Sequence, residues 1–302
     1  MSSNDGNVYD ALTEAGTDEG HWAFGTGFAT ALSGVDTAVP SGVDRADLAA
    51  YCVMLGDDAL ILSQRLSAWC SRAPELEEDV ALANIALDLL GQARLLLGRA
   101  GEVEDAGRTE DDLAYLREEH EFGNVRLVEV DCGPGPGGDF ATTIARLLVF
   151  SSWRLALLER LTGSRDPVLA AVAAKGVNEV AYHRDHAAQW TLRLGDGTDF
   201  SRGRMCAGLA RVWPLTEELF TPHEIELRLA EAGIAVDPAA LKSDVDDVLD
   251  TVLAASGLQR PSVPMLSGVA GKAGRHGVHT EQMGFLLAEM QHLARSMPGA
   301  SW

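Results

Sequence analysis

Two stretches of the sequence place carboxylate and imidazole groups at helical spacing, where they could share a metal ion. Glu179 is followed by His183, and Asp88 is followed by Gly91 and Gln92. Residues three or four positions apart lie on one face of a helix. In helical bundles that bind two iron ions, two helices each supply one Glu and two others each supply Glu-x-x-His. The pattern therefore invites a test for a di-iron site.

The test finds at least two ligand positions with the wrong residue. Tyr182 stands three residues after Glu179, where the imidazole belongs, so that His183 comes one position late. Gly91 takes the corresponding place after Asp88, and the predicted second helix contains no histidine. A glycine has no side chain with which to bind iron, so half of the expected ligand set is missing on this helix.

Other carboxylates do not replace the missing imidazole. The first predicted helix carries Asp57 and Asp58, and the third carries Glu159. Oxygen ligands alone leave the set incomplete, because this type of site uses imidazole as well. The degenerate ligand positions are Asp88, Glu179 and His183. We expect these side chains to form a hydrogen-bonded polar network inside the bundle, and we expect neither a catalytic residue nor a bound metal there.

A second pair of histidines, His276 and His279, has metal-like spacing, but two imidazoles alone specify little. The neighbouring Thr280 is a good N-cap residue for the last predicted helix. The sequence has no phosphate-binding glycine loop, no dinucleotide-binding glycine pattern and no nucleophile elbow. Nothing in these motifs therefore indicates a cofactor or a nucleophile in this chain.

The elements that would position these residues are helical. Apolar residues recur at helical spacing in long stretches, and Pro74 and Pro167 stand near the first turn of two of them. We predict an all-α, ferritin-like four-helix bundle in which the segment 101–139 crosses from the second helix to the third. The four long helices are predicted over 45–70, 74–100, 140–162 and 167–194.

Additional helices follow the bundle, and an extension precedes it. We interpret residues 44–302 as one domain, with the core bundle over about 45–196 and further helices over about 200–302. Residues 1–43 are rich in Gly, Ser, Thr and Asp and predict a flexible acidic extension. Within it, an aromatic segment could dock elsewhere through His21, Trp22, Phe24 and Phe28. The shorter helices are predicted near 110–121, 201–220 (with a kink at Pro214), 222–232, 238–256 and 279–296.

The net charge of −21 is segregated along the 302 residues. Residues 1–43 hold six acids and no Lys or Arg, and the stretches 101–131 and 217–250 each carry a net charge of −8. Such acidity argues against nucleic acid, an anionic membrane surface or an anionic cofactor as the main partner.

No run of about 18 apolar residues predicts a membrane span. Four widely spaced cysteines with no secretory signal favour a reducing cytoplasm.

A series of motifs runs in order over about 46–302. The motifs are DLAAYCVMLGDD (47–58), SQRL (63–66), APELE (73–77), ALANIALDLLGQAR (81–94), EVAYH (179–183), GIAVDP (233–238), HGVHTE (276–281), LAEMQ (287–291) and PGASW (298–302). Together they resemble the C-subunit family of phenylacetyl-CoA 1,2-epoxidase, a ring-hydroxylating oxygenase, and residues 1–45 extend beyond the usual start of that family.

The resemblance implies a ferritin-like, non-catalytic structural subunit that pairs with a related catalytic A subunit. In that family the A subunit holds the di-iron centre, and a small B subunit and an NADPH-dependent flavin/iron–sulfur reductase complete the complex. Together they add one oxygen atom to the aromatic ring of phenylacetyl-CoA. The alternatives are an independent ferritin-like di-iron oxidase or iron-storage protein, and an interaction module unrelated to oxygenation.

Overall fold

A computed structural model describes residues 32–135 and 138–298, and these residues form nine α-helices and no β-strand. Short 3₁₀ turns join several of the helices. The fold is the predicted all-α, ferritin-like bundle with additional helices. The α-helices are α1 (Arg45–Ser67), α2 (Leu76–Glu104), α3 (Glu110–Tyr115), α4 (Phe140–Leu161), α5 (Pro167–Gly195), α6 (Asp199–Val212), α7 (Glu224–Glu231), α8 (Lys242–Ala255) and α9 (Glu281–Ser296).

Aspartate side chains fix where three of the long helices begin. Asp44, Asp139 and Asp166 each accept a hydrogen bond from the backbone N–H three residues later. Such caps satisfy one of the free N–H groups at a helix start and contribute about 1 kcal/mol each. Pro167 follows the last of them at the first helical position, where its missing N–H has no cost.

The first two long helices pack closely as an antiparallel pair. Gly56 of α1 lies against α2, where an added Cβ would come within 2.9 Å of Leu97 Cδ2 and 3.4 Å of Leu96 Cβ. Farther along the same pair, the Ser63 hydroxyl donates to the carbonyl of Ala86 over 2.7 Å. Small residues on the facing sides therefore set the close approach of α1 and α2.

The second pair, α4 and α5, differs in how much of each helix is covered. Helix α4 is buried over most of its circumference because α5, α6 and α8 all pack on it. Its contact with α6 is tight, since a Cβ on Gly208 would lie 2.8 Å from the backbone of Thr142. Helix α5 buries a single stripe, which is Val168, Leu169, Val172, Ala173, Gly176, Val180, His183, Ala187, Thr191 and Gly195.

The crossover from α2 to α4 differs from the sequence prediction. The helix expected over 110–121 ends at Tyr115, after which Glu119–Glu121 form a separate 3₁₀ turn. Farther along the crossover, a buried 3₁₀ turn forms at Arg126–Glu129. Side chains and backbone groups from other elements hold this turn, so tertiary contacts override the local preference.

The additional helices pack on α1, α4 and α5. The predicted helix 201–220 is not kinked at Pro214 but ends at Val212, and a 3₁₀ turn follows at Trp213–Leu215. Proline lacks the N–H that would continue the α-helical ladder, which explains the early end. Within the described residues, α2 and α4 are long and apolar enough to cross a membrane, but the apolar 18-residue stretch of α4 is entirely buried in the protein, as expected for a core helix.

Candidate functional site

One side chain from each of the four long helices meets at the same level of the bundle. Arg154 of α4 lies between Asp58 of α1 and Gln92 of α2. Its Nη1 is 4.0 Å from Asp58 Oδ2, and its Nη2 donates to Gln92 Oε1 over 3.4 Å. Gln92 Nε2 in turn donates to Oε2 of Glu179 on α5, over 3.1 Å. This cross-section is where a four-helix bundle would hold a pair of metal ions.

Arg154 places a positive charge at this point. Its side chain is wholly buried, and its remaining bond is from Nη2 to the carbonyl oxygen of Leu55, over 3.2 Å. Burial lowers the pKa of Arg154 to about 10, so the guanidinium stays cationic at neutral pH. Its Nε and Nη1 have no hydrogen-bond partner among the described residues. The centre of the bundle is therefore occupied by a cation that is incompletely hydrogen-bonded.

Asp58 is held by a second arginine as well. Arg275, from the loop before α9, donates to both carboxylate oxygens of Asp58 over 2.8 and 3.0 Å. The same guanidinium donates to the carbonyls of Met54 and Gly123. Burial raises the pKa of Asp58, and the two arginines oppose that rise. For Arg275, burial lowers the pKa, but Asp58 reverses the effect and leaves it above the usual value.

The predicted ligand-like residues of α2 and α5 pair along the seam between these two helices. His183 Nε2 lies 3.0 Å from Asp88 Oδ2, and His183 is buried while 37 % of the Asp88 side chain is exposed. Glu179 receives the Gln92 bond and forms an ion pair of 3.3 Å with Lys175. The polar network thus lies at the edge of the bundle interior and reaches solvent on the seam.

The remaining carboxylates named from the sequence lie elsewhere. Asp57 points away from Arg154 and binds Arg117, whose Nη1 donates over 3.0 Å, and the N–H of Gly123. Glu159 of α4 is exposed. Gly91 is a buried position in the middle of α2. The structure therefore does not bring Asp57 or Glu159 to the network around Arg154.

His276 and His279 do not face a common point. His279 lies 2.7 Å from Glu129 and 3.0 Å from the carbonyl of Phe122, whereas the His276 ring lies 4.5 Å from the ring of His223. Thr280 occupies the predicted N-cap position of α9, but its hydroxyl donates to Glu129 instead of capping the helix. His279 and Thr280 attach α9 to the crossover turn.

The residues present do not fit a di-iron centre. Two iron ions need several carboxylates and imidazoles that converge with their lone pairs free. The central position from α4 is a guanidinium, which repels a metal ion, and Asp88 and His183 bind each other. Within residues 32–135 and 138–298, no group of three or more His, Cys, Asp or Glu side chains is arranged to hold a metal.

Sequence reasoning did not identify Arg154 or Arg275. A buried arginine carries no signature in a single sequence, because most arginines are exposed. The available signal was position: Arg146 and Arg154 interrupt the apolar helix α4 at an eight-residue spacing, and both are wholly buried. Charged residues inside a helix that is apolar on all sides must find partners in the core.

Comparison with known proteins identifies the family of this chain. Residues 34–302 match the family model described as phenylacetic acid catabolic protein. The chain belongs to this family. A relative in Escherichia coli (strain K12), named as the C subunit of 1,2-phenylacetyl-CoA epoxidase, is 46% identical over 255 residues, which is 84% of this chain and 99% of the relative. The resemblance inferred from the sequence is thereby confirmed, and residues 1–33 lie outside the family match.

Proposed function

We propose that this chain is a structural, non-catalytic subunit of a phenylacetyl-CoA epoxidase in phenylacetate degradation. The observation that carries the proposal is the buried guanidinium of Arg154 at the level of the four-helix bundle where metal ligands would converge. The similarity to an epoxidase C subunit supports the choice of reaction. In this proposal the iron pair and the substrate site belong to a partner A subunit.

Electrostatics supports the division of roles. A cation at the centre of the bundle opposes the binding of Fe²⁺, because two positive charges in a desolvated interior repel strongly. The substrate, a coenzyme A ester, carries several negative charges, and this chain has a net charge of −21. An acidic chain whose described residues form no metal-binding cluster is better suited to support a catalytic partner than to hold that substrate itself. The setting that we propose is the cytoplasm, with a small B subunit and an NADPH-dependent reductase completing the complex.

A metal assay tests the non-catalytic role. The purified full-length chain is incubated anaerobically with Fe²⁺, desalted, and assayed for iron by mass spectrometry, and the co-expressed A subunit serves as the positive control. We expect no stoichiometric iron on this chain. Two tightly bound iron ions per chain would contradict the proposal and favour an independent di-iron oxidase or iron-storage protein.

Co-expression with the A subunit tests the partner. The two chains should elute together from a sizing column, and separate elution would favour an interaction module unrelated to oxygenation.

We further propose that the near-neutral long helices form most of the contact, whereas the acidic segments face solvent. Glu102, Asp105 and Asp111 are exposed acids of the crossover, while Glu129 is buried. Charge reversal of the three exposed acids should therefore leave pairing intact, and lost pairing would refute this placement.

A further inference from the structure

Helix α2 has two apolar faces, and only one of them is fully buried in this chain. An apolar 18-residue stretch of α2 is half buried, whereas the corresponding stretch of α4 is buried completely. The buried face of α2 belongs to the hydrophobic core and includes Leu82, Ile85 and Leu89. An apolar face that stays open to solvent indicates a contact outside the chain. The open face, which we call the outer face of α2, consists of Leu76, Val80, Ala83, Leu87 and Leu90.

The outer face of α2 has the residue spacing of a coiled coil. Its five residues follow one another at intervals of four, three, four and three positions, which is the a/d spacing of a heptad repeat. Side chains at this spacing insert between residues of a facing helix. Leu76, Val80 and Leu87 are 74%, 53% and 37% exposed, so they are available to a second helix.

A cavity of about 300 Å³ borders the outer face of α2 on the side of α1. Leu87 lines it from α2, and Tyr115 of α3 and Met290 of α9 are also part of its wall. Cys70, just after α1, lines it as well and is exposed. None of the described residues that line the cavity is an Asp, Glu, Lys or Arg. The cavity therefore favours apolar side chains over charged ones.

The charges beside the outer face lie at its start and are mainly negative. Residues 72–79 hold four acids and one cation. Glu75 and Glu77 flank Leu76, and both are exposed. At the other end of the face, the cation Arg94 is bound to Glu110 of α3 over 3.4 Å. A helix that complements this surface therefore has an apolar face and carries Lys or Arg where it meets the start of α2.

A second copy of this chain is poorly suited to the outer face. Each copy has a net charge of −21, and proteins of high net charge resist self-association. In a parallel pair of α2 helices the two acidic starts would face each other. In an antiparallel pair the start would face the region of Arg94, whose guanidinium already binds Glu110. The charges therefore favour a different, less acidic subunit.

We propose that the outer face of α2 and the cavity beside it receive a helix of the catalytic A subunit. The apolar side chains of that helix follow the same alternation of three and four positions, and one of them enters the cavity beside Leu87. Lys or Arg at one end of the helix faces Glu75 and Glu77. This inference rests on the proposed function, because it assigns the surface through which the two subunits pair.

Cysteine labelling tests the proposal on the natural full-length chain. Cys70 lines the cavity and is exposed, Cys206 is exposed on α6, and Cys52 and Cys132 are buried. The chain alone and the co-purified complex with the A subunit are treated briefly with iodoacetamide under native conditions. Peptide mass spectrometry then gives the labelling of Cys70 relative to that of Cys206.

We expect the relative labelling of Cys70 to fall several-fold in the complex. An unchanged ratio in a complex that elutes as one species would overturn this inference and leave the proposed function intact. Separate elution of the two chains would contradict the proposed function and, with it, the inference. A ratio that falls as the concentration of the chain alone rises would place a second copy on the outer face and would also overturn the inference.

Substitutions on α2 give an independent check. Val80→Lys combined with Leu87→Lys places two charges on the outer face. The matched control is Phe200→Lys combined with Leu227→Lys, at apolar positions of α6 and α7 that are 74% and 40% exposed. Circular dichroism establishes that both variants are folded. We expect the α2 variant to bind the A subunit at least about tenfold more weakly and the control to bind like the natural chain, and equal binding by both would overturn the inference.

Charge reversal tests the chemistry of the partner helix. Glu77→Lys should weaken binding to the A subunit, whereas Asp199→Lys, which changes the first turn of α6 in the same way, should not. Equal effects of the two substitutions would overturn the assignment of Lys or Arg to the end of the partner helix.

Discussion

The replacement of two buried arginines should have very different costs. Arg275 and Arg154 both approach Asp58, but Arg275 makes four hydrogen bonds, two of them to that carboxylate. Arg154 stands 4.0 Å from Asp58, and two of its three nitrogens lack a hydrogen-bond partner among the described residues. We therefore compare Arg275→Met with Arg154→Met, since methionine fills much of the same space without a charge.

The expected magnitudes follow from what each variant leaves behind. Removing Arg275 leaves the carboxylate of Asp58 wholly buried, with the N–H of Val125 at 2.9 Å and the distant Arg154 as its remaining partners. Breaking a buried ion pair in this way costs about 3–5 kcal/mol of unfolding free energy. Removing Arg154 leaves Asp58 bound to Arg275 and ends the desolvation of an incompletely bonded cation, but it also leaves Gln92 Oε1 without its donor, so we expect a loss of about 1 kcal/mol.

Urea denaturation followed by circular dichroism measures both values on the full-length chain. The natural protein and the two variants are unfolded at pH 7 under equal conditions, and midpoints are converted to free energies with a common slope. We expect the loss in Arg275→Met to exceed that in Arg154→Met by at least about 2 kcal/mol. Equal losses would refute the reasoning, because they would show that Arg154 compensates the buried carboxylate as effectively as Arg275.

Two further predictions concern packing and pH. Gly208→Ala should destabilise the protein by about 1–3 kcal/mol, because the new Cβ would lie 2.8 Å from the Thr142 backbone. Gly98 has open space around the position of a Cβ, so Gly98→Ala should stabilise the protein by up to about 1 kcal/mol. Thermal melting of both variants checks this prediction, and equal effects on stability would contradict it. Burial alone would lower the pKa of His279, but the hydrogen bond to Glu129 outweighs burial and raises this pKa above its unfolded value. Its stabilising contribution is therefore complete below pH 6.5 and disappears as the pH rises through the folded-state pKa, by about 1.4 kcal/mol per unit of that rise. His279→Gln should then cost more at pH 6 than at pH 9 in denaturant titrations, and a cost independent of pH would contradict this assignment.

The long helices were predictable because their signals are local. Capping aspartates, Pro167 at a helix start and apolar residues at helical spacing all act within a few residues, and the structure places α4 and α5 within a residue of the predicted bounds. The crossover was less predictable. Its 3₁₀ turn at Arg126–Glu129 is held by residues that lie far away in the sequence, including a bond of 2.6 Å from Arg126 to Glu218. No local preference encodes such a contact.

The candidate site was likewise only partly predictable from the sequence. Spacing alone identified Asp88, Glu179 and His183 and the glycine that breaks the ligand pattern, and the structure gives each of the three a side-chain partner. What spacing could not show is which carboxylate points inward. Asp57 and Asp58 are neighbours on α1, yet Asp58 faces Arg154 and Asp57 faces Arg117. The direction of each side chain depends on the packing of the whole bundle.

Arginines balance several carboxylates inside the protein. In the described part of the chain, four buried carboxylates pair with arginines from distant elements, and these pairs are Asp57–Arg117, Asp58–Arg275, Asp166–Arg99 and Glu218–Arg126. Each pair is neutral, so the excess of 45 acidic over 24 basic residues lies outside these four pairs. A di-iron bundle neutralises its interior carboxylates with metal ions. Here arginine side chains neutralise four of them, and because the Arg154 guanidinium is part of α4, the charge at the centre of this bundle cannot be exchanged or reduced.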